Sequence, residues 1–208
     1  MRKPDCLLLH GWGLTSRVWE SFSESIGAVE QIKAPCLYHA AGEANDHKLE
    51  SIAAILKEEI SNETIIVAWS LGGLVATILA RLTDKIKGIV FIASTPCFAN
   101  KPDWKNVLDP DAIKNLKQQL IKAPQQTINS FAGFIAYGEP EQKRVTRRLQ
   151  QSLANEKENT VLSAWLDELL QQDLREEVSK LTTPSLFIFA ENDALIGVIR
   201  GAPKRIPP

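Results

Sequence analysis

The stretch IIVAWSLGGLVATILARL, residues 65–82, decides how the chain is to be read. It opens on Ile65-Ile66-Val67, a β-branched apolar run suited to a buried strand. It turns at Ala68-Trp69-Ser70-Leu71-Gly72, then runs on from Gly73 to Leu82 apolar nearly all round, as a buried helix does. A serine set between a strand and a helix, with a small residue two positions to either side, has the spacing of a nucleophile elbow. Such a turn holds Ser70 in a strained conformation with its hydroxyl presented. Residues 68 and 72 must be small because the strand and helix backbones nearly touch. The usual pattern is G-x-S-x-G, and Ala68 in the first place adds one methyl group. The competing reading of Ser70 is a helix N-cap, a position serine favours.

Upstream, Cys6-Leu7-Leu8-Leu9 reads as a short strand running directly into His10-Gly11-Trp12-Gly13. Glycines after a strand let the backbone bend over a neighbouring site without a Cβ clash. Beside an elbow, such a turn supplies one N–H of an oxyanion hole, and the residue after the nucleophile supplies the other. The two donors would be the backbone amides of Trp12 and Leu71. Fixed donors of this kind contribute a few kcal/mol of transition-state stabilisation. Taken alone, the turn is equally a plain glycine-rich bend.

Composition narrows the partners. The chain has 208 residues, 44% hydrophobic and 24% charged, with a net charge of -1. That fits one globular domain with an insertion and offers no field for nucleic acid. No apolar run is long enough to span a membrane, and the apolar stretch after the basic start is too short for a signal peptide. Cys6, Cys36 and Cys97 have no metal spacing and cannot all pair, so they are read as reduced thiols of a cytosolic protein. No cofactor or metal is expected.

The remaining pattern alternates. Val18–Ile26 reads as a helix, Gln31–Tyr38 as a strand broken at Pro35, His39–Asp46 as a loop and Lys48–Ile60 as a helix. Lys87–Ala93 and Ser185–Ala190 read as buried strands. Strand and helix in alternation predict a mostly parallel central sheet with helices on both faces. From Trp104 to about Glu177 the pattern is helical, and Asp109-Pro110-Asp111 has the form of a helix start. The expected organisation is an α/β core over 1–97 and 182–208, with an all-helical lid over 98–181. Asp193 falls just past the C-terminal end of a strand, where sites in parallel sheets assemble. It is the candidate acid, with a turn aspartate capping its own loop as the alternative.

HGWGLTSRVWESF, AWSLGGLVATILA and IASTPCF together resemble the pimeloyl-acyl-carrier-protein methyl ester esterases of biotin synthesis, from about Leu7 to Ile196. The resemblance implies the α/β-hydrolase fold and a serine carboxylesterase acting on a pimeloyl methyl ester. It implies Ser70 as nucleophile, Asp193 as acid and Trp12 and Leu71 as oxyanion donors. Trp12 and Phe131 would line the acyl pocket. The implied partner is acyl-carrier protein, with the enzyme a monomer in the cytoplasm. Lys143, Arg144, Arg147 and Arg148 fall on one side of a helix, a basic patch for an acidic carrier protein or simply a solvated face.

The departure is the general base. The family's histidine follows the acid, whereas here the histidines are His10, His39 and His47. His10 belongs to the glycine turn, where its ring would brace the loop. His39 or His47 would have to substitute. The stretch 197–208 lacks strand or helix periodicity, so the chain is expected to be truncated after about Ile196, without the last strand and helix. The alternatives are a non-catalytic remnant that binds carrier protein or acyl chains, and a general short-chain esterase.

Overall fold

The computed structural model describes residues 2–105, 107–191, 193, 195 and 196. The tail 197–208, on which the expected truncation rests, lies outside the described residues. Five strands form one sheet in the order β2-β1-β3-β4-β5. They are β1 (Asp5–Leu9), β2 (Ile32–Lys33), β3 (Thr64–Trp69), β4 (Ile86–Ile92) and β5 (Ser185–Ile188). Every pairing is parallel. The register aligns Leu9 with Ala68, Trp69 with Ile92 and Ile92 with Ile188. The residues just past these ends, His10, Ser70 and Ala93, therefore gather along one rim.

The alternation of strand side chains divides the core between the two faces of the sheet. Leu7, Leu9, Ile66, Ala68, Ile89 and Phe91 face the larger cluster, with α3 (Leu49–Glu58) and α4 (Leu71–Leu82). Leu8, Val67, Val90 and Ile92 face the other side, covered by the 3-10 turn Ser16–Trp19 and α1 (Glu20–Ser23). Helix α4 is buried from Leu71 to Leu79, which explains a sequence apolar on every side.

Between β4 and β5 the chain is helical. The helices are α5 (Pro110–Lys122), α6 (Pro124–Ile135), α7 (Gln142–Gln150), α8 (Asn159–Gln171) and α9 (Arg175–Ser179). Asp109 caps α5 by accepting from the Asp111 N–H at 2.9 Å, as the Asp-Pro-Asp start predicts. Val161, Leu162, Trp165, Leu166 and Leu169 bury one face of α8. An ionic clasp closes the base of the insertion. Asp173 accepts from Lys101 at 2.8 Å and from Arg175 at 2.7 and 2.8 Å, and Arg175 also reaches Asp103 at 2.8 Å. The guanidinium stacks on Trp104, 5.4 Å from the ring centre. The exit and return segments of the insertion are thereby tied together.

Several local expectations give way. The strand around Pro35 is only Ile32–Lys33, and His39–Asp46 is not a loop, because α2 (Leu37–Ala44) occupies most of it. Pro35 removes a ladder N–H and stops the strand. Leu37, Tyr38, Ala40 and Ala41 then bury one helical face, and Asn45 ends the helix in the left-handed region at φ 63°. The helix expected over Val18–Ile26 is a 3-10 turn and a single α-turn. Leu186 and Ile188 of β5 are 54% and 45% exposed. No helix among the described residues is long and apolar enough to cross a membrane.

Candidate active site

Ser70 sits at φ 53°, ψ −122°, between the last residue of β3 and the first of α4. A non-glycine residue held there costs about 1–3 kcal/mol, so the surrounding structure must impose it. The Ser70 N–H donates to the Ile92 carbonyl at 2.9 Å, and the Gly73 N–H donates to the Ser70 carbonyl at 2.8 Å. Its side chain makes no capping hydrogen bond, which removes the N-cap reading. The residue is half-buried, and its hydroxyl has no hydrogen-bond partner among the described residues.

Close packing explains the small residues. A Cβ at Gly72 would lie 2.6 Å from the Leu9 carbonyl oxygen and 2.9 Å from that of His10. A Cβ at Gly11 would lie 3.1 Å from the Ser70 Cβ and 3.7 Å from its Oγ. The glycine turn and the elbow are therefore in direct contact, as their paired reading requires. Neither the Trp12 nor the Leu71 N–H donates to a protein acceptor among the described residues. The Leu71 N–H is also one of the unpaired donors at the start of α4.

His10 is a brace. It is fully buried, its Nδ1 lies 3.0 Å from the Gly11 carbonyl and its Nε2 accepts from the Leu37 N–H at 3.0 Å. Those partners fix the proton on Nδ1. Burial pushes its pKa down to about 4, with the Gly11 hydrogen bond opposing. Tyr38 stacks on the His10 ring, at 5.5 Å, and on Trp165, at 4.7 Å. His39 is exposed on α2. His47 has φ 57° and its Nδ1 lies 3.3 Å from the Ala41 carbonyl.

Trp12 is buried, and its indole Nε1 donates to the Leu162 carbonyl at 2.9 Å. Phe131 of α6 meets its ring edge-to-face at 4.8 Å and packs over Gly13. The pair expected to line one pocket is thus in contact. Asp193 accepts from the Leu195 and Ile196 N–H groups through Oδ1, at 2.8 and 2.9 Å. It stands beyond β5 as anticipated, with one oxygen engaged in capping its own turn. On α7, Lys143 and Arg147 are exposed, Arg144 pairs with Glu141, and Arg148 reaches Ser21 across to the core. All three cysteines are unpaired. Burial raises the Cys6 thiol to about 11, which leaves it inert at neutral pH.

Two contacts carry no sequence signal: the indole bond to α8, and the hydroxyl of Ser94, which donates to the Ser70 carbonyl at 2.8 Å. Only folding brings these partners together.

A strained serine at the rim of a parallel sheet, with a glycine turn against it, defines a hydrolase, and the chain belongs to the alpha/beta hydrolase family, which residues 6–205 match. It is similar to pimeloyl-[acyl-carrier protein] methyl ester esterases. That of Vibrio cholerae is 32% identical over 198 residues, covering 92% of this chain and 77% of that protein. That of Aromatoleum aromaticum is 30% identical over 205 residues, covering 94% of this chain and 82% of that protein. Among solved structures, an esterase from Exiguobacterium antarcticum superposes with a TM-score of 0.75 at 15% identity, covering 95% of this chain and 77% of that one. A hydrolase from Oleispira antarctica gives 0.75 at 18%, with the same coverage. At such identities the structures speak for the fold.

Proposed function

We propose that Ser70 is the nucleophile of a carboxylesterase site that hydrolyses the methyl ester of a pimeloyl chain carried on acyl-carrier protein. The Ser70 backbone geometry carries the reading, because nothing in local packing rewards a serine at φ 53° except presentation of its hydroxyl. Ser70 Oγ attacks the ester carbonyl, and the carbonyl oxygen takes the negative charge against the Trp12 and Leu71 N–H groups. Collapse releases methanol, and water then frees the acid. Trp12 and Phe131 form the apolar wall for the acyl chain, and the exposed Lys143 and Arg147 of α7 face an acidic carrier. Asp193 holds the place of the triad acid beyond β5, with Oδ1 engaged by its own turn and Oδ2 bonded to no group among the described residues.

The Ser70 proton needs an acceptor, and His10 is not one, since both its nitrogens are engaged and its pKa is low. A serine without its base loses several orders of magnitude in rate, retaining what the oxyanion donors and substrate binding contribute. One observation favours a second reading, binding of acyl chains or carrier protein without turnover: His10, the histidine of the turn packed against Ser70, has both ring nitrogens engaged elsewhere. A fluorophosphonate probe separates the two. Labelling that disappears in Ser70→Ala supports the esterase; no labelling of the unaltered chain supports binding alone. Rescue of biotin-dependent growth in a strain without its own methyl esterase tests the substrate.

A further inference from the structure

Ser94 lies just past β4, 1% exposed, after an Ala93 held at φ 43°. The Ala93 N–H donates to the Ile188 carbonyl of β5 at 2.9 Å, so the strained residue is anchored to the sheet. From there Ser94 Oγ donates to the Ser70 carbonyl at 2.8 Å, beside the Gly73 N–H on the same oxygen at 2.8 Å. The elbow makes room for this hydroxyl: a Cβ at Gly73 would lie 2.0 Å from Ser94 Oγ and 2.8 Å from its Cβ. The second glycine of Ser70-Leu71-Gly72-Gly73 is therefore required by Ser94, as the first is required by Leu9.

The Ser70 carbonyl and the Leu71 N–H belong to one planar trans peptide and point in opposite directions. Two donors gripping the carbonyl on one side fix where the N–H points on the other. We infer that Ser94 is a positioning residue of the active site: its hydroxyl sets the direction in which the Leu71 N–H meets the acyl oxyanion. The inference rests on the proposed role of Leu71 as oxyanion donor. It links the end of β4 to a reacting centre that Ser94 never touches.

The test compares the full chain with Ser94→Ala and with Thr77→Ala. Thr77 is equally buried, and its Oγ1 donates to the Gly73 carbonyl at 2.9 Å, so its loss removes a neighbouring hydroxyl bond without releasing the Ser70–Leu71 peptide. Labelling of Ser70 by a fluorophosphonate is expected to slow roughly tenfold or more in S94A, and to stay within about twofold in T77A at a matched fall in melting temperature. In ¹H–¹⁵N spectra, the Leu71 amide shift induced by butyrate is expected to shrink in S94A and to persist in T77A. Wild-type labelling in S94A, or equal slowing in both variants, overturns the inference and leaves the esterase reading standing. If the unaltered chain does not label, that reading fails, and the Leu71 resonance decides: a butyrate response unchanged by S94A overturns the role of Ser94. Should S94A not fold, Ser94→Val fills the space without any donor and is read the same way, with a wild-type response again overturning the inference.

Discussion

The indole Nε1 of Trp12 donates to the Leu162 carbonyl at 2.9 Å, joining the turn that carries the proposed oxyanion amide to helix α8 of the insertion. The residues stand 150 positions apart in sequence. Packing of the helical insertion thus sets where the Trp12 backbone lies. Trp12→Phe keeps the apolar body and removes the one bond across to a carbonyl that the helix ladder of α8 still engages, a loss of about 0.5–1.5 kcal/mol. The melting temperature is expected to fall by roughly 2–4 °C per kcal/mol lost, with slower labelling of Ser70. Calorimetry and a fluorophosphonate time course check the two effects, and an unchanged melting temperature contradicts the first.

Gly72 and Gly42 should respond oppositely to alanine. At position 72 a methyl group meets the Leu9 carbonyl oxygen at 2.6 Å, and backbone cannot yield as a side chain can. Gly72→Ala is expected to destabilise by about 1–3 kcal/mol or more. Gly42 lies in α2 with nothing within 4 Å of its Cβ position. Gly42→Ala is expected to stabilise by about 0.5–1 kcal/mol, since glycine inside a helix costs conformational entropy. Urea denaturation of the two variants side by side reads both signs.

His10 makes stability depend on pH. Its folded pKa, about 4, lies below the ordinary histidine value of 6.5, so between the two the unfolded chain binds the extra proton. Its contribution is fully present above about pH 6.5 and is lost as pH falls toward 4. The full span corresponds to roughly 3 kcal/mol. Denaturation midpoints taken from pH 7 down to 4 should fall for the unaltered chain and flatten in His10→Gln. Parallel slopes would assign the acid sensitivity to other groups.

The basic face of α7 divides on inspection. Arg144 and Arg148 already have partners in Glu141 and Ser21, which leaves Lys143 and Arg147 exposed for an acidic partner. Reversing both to glutamate should weaken binding of acyl-carrier protein by roughly tenfold, mostly through the association rate, and most strongly at low salt. A small soluble ester should be handled unchanged. Equal loss on both substrates refutes docking at this face.

The clasp at the base of the insertion gives a stability prediction. Asp173, with a side chain 26% exposed, serves both Arg175 and Lys101, whose hydrogen bonds hold its carboxyl well below the usual range against the opposing effect of burial. Asp173→Ala takes the partner from Lys101 and leaves Arg175 with Asp103 alone, and is expected to cost about 1.5–3 kcal/mol. The fall should appear as earlier proteolysis between residues 98 and 181 than in the core. Uniform cleavage kinetics would count against a clasp.

The sequence by itself determined the elbow, the glycine turn and the alternating core, because each is local. Strand, turn and helix chemistry sits within five residues of Ser70, and β-branched runs announce buried strands wherever they lie. Only the tertiary structure decided what each polar group does. His10, read as a brace from its place in the glycine turn, found its partner only when the Leu37 N–H reached its Nε2, and its low pKa only with burial. The residues 39–46 read as loop until α2 buried Tyr38 against His10 and Trp165. Ser94 was one hydroxyl in a polar turn until the register of β3 and β4 set it on the Ser70 carbonyl. Local propensity selects elements, whereas hydrogen-bond partners far apart in sequence exist only after the chain has closed on itself.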